Sequence, residues 1–252
     1  MRIPRPRDWP LAVKLWLWHG AIAGLLVAAV ALTRDFRWSV VWESLPFLLR
    51  GLGVSWLLTI ISVLVGLVTG TLLALARTAG PPGIRHLAIA YIEIVRAIPQ
   101  LMVIFWVFFT WPAISGTALS AWSAALISLS MIAASYLAEV IRAGLSSVPG
   151  VQVESAYASG LTKAQTFTRI VLPQALRNML PALIAHIVMM FKITSLVYVI
   201  GLIDFFRAIV LVNNRDFAPY ALYTTMAVGY FVCCWALSWL VRRFDPKYTL
   251  TS

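Results

Sequence analysis

A few ionisable side chains lie within or beside long apolar runs, and their spacing suits ion pairing and reception of a charged solute rather than bond-making. Glu93 and Arg96 stand three apart, as do Glu139 and Arg142; helical residues at that spacing share a face, so each pair can neutralise itself. One reading is structural pairing near helix ends, where long side chains snorkel. The other makes one or both pairs a gate. Lys192 stands apart from both, about 21 Å along a helix begun at Asn178 and beyond the midplane of a bilayer. An unpaired ammonium there costs at least ~2.5–3.5 kcal/mol on the translocon scale. A bound carboxylate could offset that cost. At rest Glu93, Glu139, Asp204 or carbonyl oxygens could do so, and Thr194 and Ser195 beside it add hydroxyls able to hydrogen-bond a zwitterion.

Catalytic constellations are missing from the sequence. His19, His86 and His186 fall in different segments with no HExxH spacing, so no metal site is expected. No phosphate-cradling G-x-x-x-x-G-K-[ST] loop and no Ser/His/Asp motif occurs. Cys233 and Cys234 are adjacent in an apolar run, which supports neither a disulfide framework nor a zinc site.

The elements that carry these residues are membrane helices. Of 252 residues, 61% are hydrophobic and 12% charged, with a mean hydropathy of +0.88, more than one soluble core can bury. The net charge of +11 comes from basic residues between apolar runs, without the stripe or module that nucleic-acid binding needs. Uncharged stretches cover Leu15 to Thr33, Gly51 to Ala76, Ala97 to Ala138 and Phe217 to Val241, and Asn178 to Leu202 carries only His186 and Lys192. The third is about twice what a bilayer needs, so it folds back, with Trp111-Pro112 and Ser115-Gly116-Thr117 as the break. Six spans result. Arg77, Arg85, Arg142, Lys163, Arg169, Arg177, Arg242, Arg243 and Lys247 fall on the side of the N-terminal Arg2, Arg5, Arg7 and Lys14, and only Arg34, Arg37, Arg50, Arg207 and Arg215 on the other. Positive-inside topology therefore puts both termini in the cytoplasm. The first span also resembles a secretory signal ending at Ala29-Val30-Ala31, but its apolar run exceeds a typical signal core, which favours a retained helix.

The one sizeable polar segment, residues 143–177, lies on the cytoplasmic side in this topology. It divides into two helical pieces, Val153 to Ser159 and Lys163 to Leu172. Gly160 supplies a left-handed end and Thr162 a cap. It is either an amphipathic helix resting on lipid headgroups or a docking element, with Ala156, Tyr157 and Leu161 as an apolar knob. Asp204 to Pro219, on the other side, reads as a short interfacial helix followed by a polar turn at Asn213–Asp216.

Glu154-Ser155-Ala156, Gly160, Ile170, Leu172 and Pro173 match in full the spacing of the Glu-Ala-Ala…Gly…Ile-x-Leu-Pro signature of ABC importer permeases, with Ser155 the one departure in the triplet. Ala138 to Gly144, Ser147-Val148-Pro149 and Gln152 resemble the polar amino-acid branch. So do Glu93, Arg96 and Pro99, as Glu-x-x-Arg-x-x-Pro, and Lys192-Ile193-Thr194-Ser195-Leu196, as Lys-Asp-Thr-Ser-Leu. Tyr198 to Arg207 is similar to glutamate/aspartate permeases. Ile193 replaces the branch's aspartate, so any ion pair that it makes beside Lys192 is absent. Gly150-Val151 inverts the order expected before Gln152.

The resemblance implies an all-α polytopic inner-membrane protein, with a five-helix type I ABC importer core over residues 46–241. Residues 1–45 form the cytoplasmic N-terminus and an extra helix, and residues 242–252 a cytoplasmic tail. It implies no catalysis and no cofactor in this chain, ATP being bound by separate ABC ATPase subunits. A second permease of the same or similar kind and a periplasmic amino-acid-binding protein complete the assembly within the lipid bilayer. ATPase coupling falls to Glu154, Ser155, Ala156, Tyr157, Gly160, Leu161, Ile170, Leu172 and Pro173. The translocation path or gate falls to Glu93, Arg96, Glu139, Arg142, Lys192, Thr194 and Ser195. The expected cargo is a polar amino acid, with glutamate or aspartate first. The rival readings are a secondary transporter or channel that works without an ATPase, and a non-transporting scaffold.

Overall fold

Between helices in lipid the apolar effect gives little drive, because hydrocarbon surrounds the assembly as well as filling it, so close approach of backbones does the work. The longest helix, α1 (Trp38–Ala79), is built for this: Gly51, Ser55, Thr59, Ser62, Gly66, Gly70 and Ala74 are all buried and recur every three or four residues on one face. A Cβ on Gly66 would stand 2.5 Å from the Ala133 Cβ, and one on Gly70 would stand 2.9 Å from the Ala134 carbonyl oxygen. Both contacts are with α5 (Ala121–Ser146), whose own face is Ala124, Ala125, Ser128, Ala133, Ala134 and Ala138.

The computed structural model describes residues 34–242. The expected first helix, its possible cleavage site and the tail beyond Arg242 lie outside them. Among the described residues, four helical stretches are long and apolar enough to cross a membrane: Trp38–Ala79, Ala121–Ser146, Lys163–Ile200 and Pro219–Trp239. The pair α2 (Pro82–Ala97) and Gln100–Ser115, bent by 112°, makes a fifth when counted as one. Pro99 explains the bend, since its ring excludes helical geometry at Ile98, which is extended with ψ 138°. Past the break come α3 (Gln100–Phe105), a π turn over Trp106–Thr110 and α4 (Trp111–Ser115). Gly116, left-handed at φ 71°, closes that segment, and the Ser120 hydroxyl accepts from the Ser123 N–H to start α5. Of the break expected at Trp111-Pro112 and Ser115-Gly116-Thr117, the second part is where the chain turns, whereas Trp111-Pro112 stays helical because proline is tolerated in the first turn of α4.

After α5 come α6 (Gly150–Ala158), α7 (Lys163–Thr166), a π turn at Phe167–Val171 and α8 (Leu172–Ile193). A 3₁₀ stretch, Thr194–Ile200, ends at Gly201, and α9 (Phe205–Asp216) and α10 (Pro219–Arg242) complete the described chain. Among the described residues, three apolar clusters fill the bundle. The central one joins Leu58, Ile104, Leu129, Ile132, Met190 and Val197. One end packs Val41 and Leu48 of α1 against Ile209 and Val212 of α9 and Leu222 of α10. The other packs Ala74, Ile92, Ala138, Val148, Ala175 and Met179. The latter carries residues 143–177 and is called the basic end below.

Three expectations change. The span placed at Gly51 to Ala76 is part of a longer helix, because Glu43 and Arg50 are exposed and do not interrupt it, and Pro46 lies inside it. The second helical piece of the polar segment, expected to end at Leu172, does not stop there, since α7 continues through the π turn into α8. The polar turn expected at Asn213–Asp216 is the last turn of α9, and the chain turns at Phe217, φ 48°, instead.

Candidate functional site

At the basic end, Glu139 is the hub of an ion cluster. Arg142 Nε donates to Glu139 Oε1 at 3.0 Å, one helical turn on, and Arg142 Nη2 donates to the same oxygen. Arg77 Nη1 reaches Glu139 Oε2 at 3.1 Å and Glu93 Oε1 at 3.4 Å. Glu139–Arg142 thus pair as their spacing allows. Glu93–Arg96 do not: Glu93 turns to Arg77 across the α1–α2 interface, and the Arg96 guanidinium lies 5.5 Å from the centre of the Tyr136 ring. The reason is placement, since α2 presents Glu93 towards the end of α1 and Arg96 towards α5. Arg77 counted in the sequence only as a loop-side charge. Its partners are 16 and 62 residues away, beyond the reach of any local pattern.

Residues 150–173 form a rigid hook. The Leu161 N–H donates to the Ala156 carbonyl at 3.1 Å and the Gly160 N–H to the Tyr157 carbonyl at 2.9 Å, with Gly160 at φ 82°. That pair of bonds is the Schellman closure, which satisfies the carbonyls at the end of α6. A capping box follows: the Gln165 N–H donates to Thr162 Oγ1 at 3.3 Å and the Thr162 N–H to Gln165 Oε1 at 2.9 Å. Ala156 is buried, holding the hook to itself, whereas Val151, Glu154, Ser155, Tyr157 and Phe167 are exposed. Leu161, Ile170 and Leu172 are half-buried and Pro173 is exposed at the first turn of α8. Two side-chain links hold the hook in place, one from the hook to α8 and one that ties α8 to the chain just past α5 at the hook's base. Gln174 Nε2 donates to Gln152 Oε1 at 2.7 Å, and Asn178 Nδ2 to Ser147 Oγ at 2.9 Å. Gly150, out of its expected order, is simply the first residue of α6, after Pro149.

Lys192, near the end of α8, is exposed, and its ammonium makes no hydrogen bond or ion pair among the described residues. Each acid considered as its partner is engaged elsewhere. Glu93 and Glu139 bind the arginines above, and Asp204 is fully buried and caps α9, accepting from the Phe206 N–H at 3.2 Å and the Arg207 N–H at 2.9 Å. Thr194 and Ser195 spend their hydroxyl protons on the carbonyls of Phe191 and Lys192, at 2.7 and 2.8 Å. Their oxygens keep only accepting capacity, so they suit an ammonium better than a carboxylate. Ile193 is buried in the central cluster, where an aspartate would meet apolar neighbours. The position is used here for packing.

On the opposite face of the bundle from the hook, Arg37 Nη1 donates to the Asp216 carbonyl at 2.8 Å and Arg215 Nη2 to Ser44 Oγ at 3.0 Å. These bonds fix α9 to the start of α1.

Residues 66–250 match the family of binding-protein-dependent transport system inner membrane components. The glutamate/aspartate import permease protein GltK of Escherichia coli O6:H1 is 35% identical over 220 residues, 84% of this chain and 98% of that protein. The probable glutamine ABC transporter permease protein GlnP of Bacillus subtilis strain 168 is 34% identical over 224 residues, 85% of this chain and all of that one (100%). The fold also matches a crystal structure of an amino acid ABC transporter with histidines, at a TM-score of 0.79 and 30% identity over 84% of this chain and 98% of that one. An inward-facing MetNI methionine ABC transporter shares the fold at a TM-score of 0.61 and 20% identity, over 82% of this chain and 94% of that one. With its helices, its spans and its match in agreement, the chain belongs to the binding-protein-dependent transport system inner membrane component family, whose structural neighbours are type I ABC importer permeases.

Proposed function

We propose that this chain is the permease of an ATP-driven importer for polar amino acids, with its basic end in the cytoplasm. ABC ATPase subunits seat on the exposed face of the hook around Glu154, Ser155, Tyr157 and Phe167, and a second permease completes the path. An extracytoplasmic amino-acid-binding protein docks over α9. ATPase closure pulls the hook as one piece, and α5 and α8, joined to it, rock so that a site near Lys192 faces each side in turn. The carrying observation is Lys192: an exposed ammonium among membrane helices, with each acid considered as its partner engaged elsewhere, calls for an anionic partner from outside the chain. A substrate α-carboxylate is such a partner.

Similarity to the glutamate/aspartate permease favours an acidic cargo, and similarity of the same degree to the glutamine permease keeps glutamine as the second reading. Both cargoes carry the carboxylate that Lys192 would bind. The test is the assembly of permease, ATPase and binding protein in vesicles, assayed for ATP-dependent uptake of labelled L-glutamate, L-aspartate and L-glutamine. Wild type takes up one of them. Lys192→Met retains the ATPase but loses stimulation of hydrolysis by loaded binding protein, and Lys192→Arg keeps most of it. Uptake without ATP refutes the importer; unaltered stimulation in Lys192→Met removes Lys192 from the path.

A further inference from the structure

At the basic end a groove of about 300 Å³ opens between α2, α5 and α8, lined by Arg96, Tyr136, Glu139, Gly144, Ser147 and Asn178 among others. Three arginines converge here on two carboxylates, and the cluster does not balance. Glu139 serves Arg77 and Arg142, and Glu93 serves Arg77, which leaves the Arg96 guanidinium with no ion pair and no hydrogen bond among the described residues, Glu139 reaching it only through longer-range attraction. Its place is nonetheless set. It rests over the Tyr136 ring, and that ring stacks on His186 with centroids 5.8 Å apart. A guanidinium that contacts an aromatic face through its charge keeps its N–H donors for a planar anion. Across the groove, Asn178 spends its amide N–H on Ser147 and retains its carbonyl oxygen as an acceptor. The position also fits the end of α2, whose last carbonyls favour a cation.

We infer that this groove is an exit station for the departing amino acid: Arg96 receives the α-carboxylate and Asn178 Oδ1 accepts from the α-ammonium. The inference rests on the importer reading above. Lys192 and the groove face different levels of α8, about 15–20 Å apart, so a cargo leaving the first cation meets a second before reaching the cytoplasm. Arg96 is exposed, so water weakens the pair and the cargo can leave. A site of this kind has a measurable consequence. Amino acid accumulated on the cytoplasmic side re-occupies the groove and slows further import.

The test uses the complete assembly in vesicles whose lumen corresponds to the cytoplasm, preloaded with the amino acid that it imports or with the α-amide of that amino acid. Uptake with and without preload is compared within each variant, so that changes in the basal rate cancel. In wild type the amino acid inhibits and the amide does not. Arg96→Gln raises the half-inhibiting luminal concentration about tenfold or more, the loss expected for one charge-assisted hydrogen bond, and Arg96→Lys raises it less. Asn178→Leu, which fills the groove from the opposite wall, raises it too and serves if Arg96→Gln fails to assemble. Equal inhibition in wild type and both groove variants overturns the exit station and leaves the importer standing, as does ATP-driven uptake that luminal amino acid never slows. No ATP-driven uptake at all overturns the importer and the station together.

Discussion

Arg77 Nη1 lies 3.1 Å from Glu139 Oε2, a bond that joins the end of α1 to α5 across 62 residues of sequence. Because Arg142 occupies the other carboxylate oxygen, Glu139 alone separates guanidiniums that would otherwise repel. Glu139→Gln keeps the shape and removes the charge. It should cost about 1–3 kcal/mol, read as a lower unfolding temperature of the purified permease. Glu93→Gln, at the longer and more exposed end of the network, should cost less. Equal losses would show that the two carboxylates share the load.

That bond also marks what the sequence could not disclose. Gly160, Thr162 and the break at Ser115–Thr117 were legible because glycine and hydroxyl chemistry acts within a few residues. Glu93 and Arg96 share a helix face, so their spacing permitted a pair; a third residue on another helix decided otherwise. The lack of a partner for Lys192 was open for the same reason, since it depends on where Glu93, Glu139 and Asp204 spend their oxygens. The small residues of α1 were visible in the sequence, but their partners on α5 were not.

Those small residues give a direct test of how the bundle is held. Gly66→Leu pushes a side chain into the Ala133 Cβ, and the rigid backbone behind Ala133 and Ala134 cannot yield. Overpacking should cost about 1–3 kcal/mol and lower the yield of correctly assembled permease on size-exclusion chromatography. Gly53, on the same helix, has nothing within 4 Å of its Cβ position. Gly53→Ala should be neutral or slightly stabilising, by about 0.5–1 kcal/mol. If both substitutions behave alike, close helix contact is not what holds α1 to α5.

The hook can be tested without touching its exposed face. At φ 82°, with open space around it, Gly160 is constrained by backbone conformation and not by crowding. Gly160→Ala brings in a Cβ that the left-handed region disfavours by about 1–2 kcal/mol; Gly160→Asn, which tolerates that region better, should cost less. Co-purification of the ATPase is the measurement. Capture should fall in the order glycine, asparagine, alanine, and an order that follows side-chain size instead would assign Gly160 to the contact surface.

Asp204 carries the pH dependence. Burial pushes its carboxyl up to about 6, against the two backbone N–H bonds that favour the charged form. A carboxyl raised in the folded protein binds its proton more tightly there than in the unfolded chain, so protonation stabilises the fold. The contribution is complete below the ordinary value of 3.8 and is lost as pH rises through about 6. Asp204→Asn is uncharged at every pH and retains one oxygen for the cap. Unfolding temperature plotted against pH across that window should decline more steeply for wild type than for Asp204→Asn. Parallel curves would mean that Asp204 stays ionised in the fold and that its cap bonds outweigh its burial.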